Sequence, residues 1–91
     1  MDLTKFVAEF IGTFVFLGVI LATGEAIPIG LALAVVIFLI GRVSGGHVNP
    51  AVSAMLYAKG DITSSQFGSY VVAQVLGGLC ALMWFKKTRK L

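Results

Sequence analysis

The chain has 91 residues, of which 58% are hydrophobic and 12% charged, with a formal net charge of +3 and one cysteine. Soluble domains carry about twice that proportion of charge, so this composition belongs to a membrane protein. One cysteine, Cys80, excludes an intramolecular disulfide. Four of the seven basic residues, Lys86, Lys87, Arg89 and Lys90, gather at the C-terminal end. A basic run beside an apolar span is membrane-interface chemistry and argues against nucleic-acid binding.

In chain order, the first span runs from about residue 3 to 23, long enough to cross a bilayer. It carries one ionisable residue, Glu9, and further spans follow it at once, which argues against a cleavable signal peptide. A carboxylate at that depth is by default a functional hypothesis. After Thr23-Gly24-Glu25, Pro28 suits the first turn of a second span, about 26 to 43. The glycine-loosened stretch Ser44-Gly45-Gly46-His47-Val48 then leads into Asn49-Pro50-Ala51-Val52. Asn is a preferred N-cap and Pro suits N1, so Asn49 opens a helix that Lys59 and Gly60 close. That helix covers about 15 Å, half a bilayer. Residues 44–59 therefore read as a re-entrant loop and half-helix, whose free amide groups and positive dipole end lie at membrane depth. Broken backbone is tolerated there only where protein or a watery cavity surrounds it, which points to a pore.

Thr63 and Gln66 form a capping box that starts a third span, about 64 to 85, with a basic tail over 86–91. Gly68, Gly77 and Gly78 offer small surfaces for helix packing. The expected architecture is one all-α domain over residues 1–91, with three transmembrane helices and one re-entrant half-helix.

Three segments resemble the N-terminal half of the aquaporin and glycerol-facilitator family. They are Ala8-Glu9-Phe10 with Gly12-Thr13-Phe14, the run from Ser44 to Val52, and Tyr70-Val71-Val72-Ala73-Gln74 with Gly77-Gly78. Three signatures in order carry far more weight than an isolated Asn-Pro-Ala. The resemblance implies half of an aquaporin-like fold. Members have six spanning helices and two half-helices in two inverted halves; this match covers one half. It further implies that Asn49 donates to a permeating water while Pro50 and Ala51 shape the half-helix start. Gly45, Gly46 and His47 would supply a carbonyl track, and Glu9 and Gln74 would hold the broken loop. Val52 stands where second halves carry an Arg, and Ile29 falls where an aromatic often narrows the pore. Two copies of Ile29 and Val52 would make an aliphatic constriction without a fixed cation.

The leading expectation is a passive channel for water or small neutral solutes, with no cofactor and no enzymatic activity. Neither a nucleophile–base pair nor a second ligand near His47 appears in the sequence. A half cannot close a pore, so a second half is expected from another chain, most simply an inverted copy in an antiparallel homodimer or higher oligomer. Lys5, Arg42 and Lys59 on one side face Lys86, Lys87, Arg89 and Lys90 on the other, a balance that permits dual topology in an inner or plasma membrane. A separately encoded second half, a holin-like or structural small membrane protein, and an inactive fragment are the competing readings.

Overall fold

The computed structural model describes residues 2–89, and the expected tail position Lys90 lies outside them. Four helices follow one another: α1 Leu3–Thr23, α2 Ala26–Ser44, α3 Pro50–Lys59 and α4 Ser64–Arg89. No strand occurs among the described residues, and α1, α2 and α4 are long and apolar enough to cross a membrane. The architecture matches half of an aquaporin-like fold.

Local chemistry sets each end. Asp2 accepts from the Lys5 amide (3.2 Å) to start α1, and Gly24 ends it in the left-handed region. Asn49 accepts from the Ala51 amide (2.8 Å), with Pro50 at the first position of α3. Gly60 and Asp61 turn their amides back to Leu56 and Tyr57 carbonyls, which closes α3. The Thr63–Gln66 capping box forms reciprocally, Thr63 N donating to Gln66 Oε1 (3.4 Å) and Gln66 N to Thr63 Oγ1 (3.1 Å).

Two boundaries differ from the sequence reading. Ser44 belongs to α2, where its hydroxyl is drawn toward Glu9 (2.6 Å). The third span continues as helix through 86–89, the first part of the expected tail. Lys and Arg are good helix formers. Thr88 also bonds back to the Trp84 and Phe85 carbonyls (3.1 Å each), and Arg89 lies 4.9 Å over the Phe85 ring.

The helix α1 is central, packed against α2 on one side and α4 on the other, while α3 leans on α4. Helices α1 and α4 run parallel: Asp2 and Lys5 share a polar cleft with Thr63 and Gln66 at one end, and Arg89 donates to the Ala22 carbonyl (3.3 Å) at the other. Their seam is built on spacing. The buried residues Tyr70, Ala73, Gln74, Gly77 and Ala81 recur on one face of α4 at helical intervals. At Gly77 a Cβ would sit 2.6 Å from the Phe10 carbonyl oxygen and 3.2 Å from the Phe14 amide. Backbone meets backbone there. Stacked rings of Tyr57 and Phe67, 5.0 Å apart, fasten α3 to α4. Outward, α2 presents Ile27, Leu31, Val35 and an 83% exposed Phe38, surfaces that an apolar surrounding must cover.

Candidate functional site

The site forms where the loop between α2 and α3 meets α1 and α4. Gly45 and Gly46 both take left-handed backbone, with φ of 90° and 64°. A Cβ on Gly46 would come 3.2 Å from the Ile37 Cα. Val48 also has a positive φ of 45°, an uncommon conformation for a β-branched residue, worth about 1–3 kcal/mol of strain.

One carboxylate holds this strained segment. Glu9 is 0% exposed and receives Ser44 Oγ (2.6 Å), His47 N (3.1 Å), Val48 N (2.8 Å) and Gln74 Nε2 (3.0 Å). Two of these donors are the loop's own backbone amides, so a carboxyl group on α1 ties down a turn nearly forty residues later in the chain. Gln74 Nε2 also donates to Ser53 Oγ (3.0 Å), and Ser53 Oγ lies 2.8 Å from His47 Nδ1. Tyr70 packs edge-on to the His47 ring at 4.8 Å and donates from its hydroxyl to the Ser44 carbonyl (2.6 Å).

Of the residues singled out in the sequence, the structure brings Glu9, Gln74, His47, Gly45 and Gly46 into one bonded assembly or directly beside it. Asn49 and Pro50 are exposed at its edge, where they border an open groove of about 520 Å³ between α1 and α4. Val48, Thr13, Phe16, Gln74, Val75 and Leu79 are among its walls. Ala51 is exposed on the first turn of α3. Val52 on α3 and Ile29 on α2 are half-buried, and neither lines this groove. Two buried side-chain atoms, Thr13 Oγ1 and Gln74 Oε1, find no hydrogen-bond partner among the described residues, and both residues line the groove.

Ser44, Tyr70 and Thr13 stand in the quoted segments without a role of their own, and Ser53 is not singled out by the sequence. A signal for three of them existed: each is a hydroxyl on an otherwise apolar helix face, at a spacing that aligns it with Glu9, Asn49 or Gln74. Tyr70→Phe tests the least obvious of them. Removing the hydroxyl strands the buried Ser44 carbonyl and is expected to lower stability by about 1–2 kcal/mol in denaturant unfolding of the micelle-bound chain. An unchanged midpoint would show that this bond contributes nothing net.

Comparison with known proteins supplies the wider frame. The family model described as Major intrinsic protein matches residues 21–90. The chain is 40% identical to Glycerol uptake facilitator protein-like 6 of Lactiplantibacillus plantarum over 86 residues, covering 85% of this chain and 40% of that protein. It is 34% identical to Aquaporin Z of Photorhabdus laumondii over 94 residues, covering 87% of this chain and 41% of that one. Against Aquaporin NIP1-1 of Arabidopsis thaliana it is 37% identical over 93 residues, covering 87% and 31%. The chain thus spans well under half the length of these curated relatives. No solved structure matches it.

Proposed function

The chain belongs to the major intrinsic protein family, and from that membership we propose that it forms half of a passive membrane channel for water or small neutral solutes. The observation that carries the reading is the exposed N-terminus of α3 at the edge of an open groove, held there by the buried Glu9 assembly. Asn49 uses its side-chain oxygen to cap the helix, which leaves its amide N–H₂ free to donate. A donor beside the positive end of a half-helix orients a water oxygen toward it and repels cations.

A second half completes the pore, and an inverted copy of the same chain is our choice for it. The groove and the α3 N-terminus are adjacent, so a two-fold axis in the membrane plane would offer each to its counterpart. The orphaned Thr13 Oγ1 and Gln74 Oε1 support a partner that brings hydrogen-bond donors. In such a homo-oligomer the described cations, Lys5, Arg42 and Lys59 at one face and Lys86, Lys87 and Arg89 at the other, are balanced, which permits dual topology in an inner or plasma membrane. Ile29 and Val52 of both copies would then form the aliphatic narrowing, while the Gly45, Gly46 and His47 carbonyls line the approach. Pro50 and Ala51 would shape the helix ends where the copies meet. The alternative reading gives the second half to a polypeptide other than a copy of this chain.

Liposomes containing the purified chain alone test this. Osmotic shrinkage is expected well above that of empty liposomes, and Asn49→Asp is expected to lower it by at least about tenfold, a barrier increase of ~1.4 kcal/mol. Asp caps a helix as well as Asn does, so the variant keeps the fold while replacing a donor with a carboxylate. Shrinkage indifferent to this change would favour a nonspecific lesion. No shrinkage from a folded, inserted chain would transfer the second half to another polypeptide.

A further inference from the structure

We propose that Ser53 is a positioning residue that holds the His47 ring as its Nε2–H tautomer, making it a fixed hydrogen-bond donor beside Gly45. Two donors next to this ring cannot reverse their direction. The backbone amides of His47 and Val48 donate to Oε2 and Oε1 of Glu9, so both carboxylate oxygens are acceptors. The Gln74 group 3.0 Å from Oε1 must therefore be its amide nitrogen. The second N–H of that nitrogen goes to Ser53 Oγ at 3.0 Å. Ser53 is 0% exposed, and its hydroxyl proton has one remaining partner among the described residues, His47 Nδ1 at 2.8 Å. Nδ1 is then the acceptor, and in a neutral imidazole the proton resides on Nε2.

The backbone decides where that N–H is offered. A Cβ at Gly45 would lie 3.1 Å from Nε2, so the absence of one leaves the nitrogen uncovered on that side. Nε2 makes no hydrogen bond among the described residues, and the edge-on Tyr70 ring fixes the imidazole plane. The ring presents one donor and no acceptor, which suits an oxygen lone pair of water or of a neutral solute. This consequence for permeation rests on the channel reading; the tautomer itself does not.

The sequence holds one histidine, so histidine-selective ¹⁵N labelling yields a single imidazole. Long-range ¹H–¹⁵N correlation of the chain in lipid nanodiscs, about two units above the ordinary imidazole pKa of ~6.5, reads the two ring nitrogens directly. The expected spectrum has an unprotonated Nδ1 and a protonated Nε2, in a ratio of at least about ten to one. Ser53→Ala is expected to lower that ratio to the weaker Nε2–H preference of an unconstrained ring, and Ser53→Thr, which keeps the hydroxyl, to restore it. A wild-type ring protonated on Nδ1 would overturn the proposal whether or not either variant folds, as would an unchanged ratio in folded Ser53→Ala. The expected tautomer in a chain that conducts nothing on its own would sustain the proposal and count only against completion of the pore by a copy of this chain.

Discussion

Glu9→Ala is expected to be the most damaging single substitution in the chain, lowering stability by at least about 3 kcal/mol and, on the proposed channel function, eliminating permeability. The carboxylate takes donors from Ser44, His47, Val48 and Gln74, and its removal leaves all four without that acceptor in a dry interior. Val48 then has no bond to hold its positive φ, so its strain drives the loop open. Glu9→Gln should fall between wild type and alanine. It keeps the volume but turns an N–H₂ toward one of the two backbone amides, which cannot both be satisfied by a single carbonyl oxygen. Denaturant unfolding in micelles gives the order of the three stabilities. Hydrogen exchange at the His47 and Val48 amides locates the damage, and exchange there that is unaltered in Glu9→Ala would refute this account of the loop.

Gly77→Ala is the second large effect, expected to destabilise by about 2 kcal/mol although alanine is the better helix former. Its added carbon meets the Phe10 carbonyl oxygen at 2.6 Å and the Phe14 amide at 3.2 Å. Main-chain atoms cannot swing aside as a flexible side chain can, so α1 and α4 must separate. That movement pulls Gln74 away from Glu9, since both lie on the same seam. Gly68→Ala, on the same helix with open space around it, provides the contrast and should be neutral or stabilising by up to about 1 kcal/mol. If both substitutions gave the same change in unfolding midpoint, close helix approach would not be what holds the pair together.

The sequence revealed the helices more completely than the bonds between them. Helix starts and stops depend on neighbours: Asp2, Asn49 with Pro50, Gly60, and Thr63 with Gln66 act over a few residues, so their chemistry is visible in a short window. The end of α4 was less legible because Lys86 and Lys87 are equally at home in a solvated tail and in a helix whose basic ends reach the interface. Glu9 stands out as a carboxylate in an apolar span and Gln74 enters through the family resemblance; the structure joins them at 3.0 Å across 65 residues. Ser44, Ser53 and Tyr70 were harder to see. Each is common at a helix end or in a packed interior, and only the arrival of α1 and α4 from distant parts of the chain gives its hydroxyl a partner. The empty hydrogen-bonding capacity of Thr13 is a property of three-dimensional closure, which local pattern does not carry.

Glu9, Ser44, Ser53, Tyr70 and Gln74 of one chain bond to one another and to the loop around the α3 entrance. The order of events in the membrane follows from this. On the reading of an inverted copy, the loop would already be held before two chains meet, so association would not have to order it and would lose little entropy there. Dilution in lipid should then separate two properties that usually fail together. If the pore is a pair of copies, as proposed, protection of the loop amides would remain constant as the lipid-to-protein ratio rises, whereas conductance would fall with the square of the chain density.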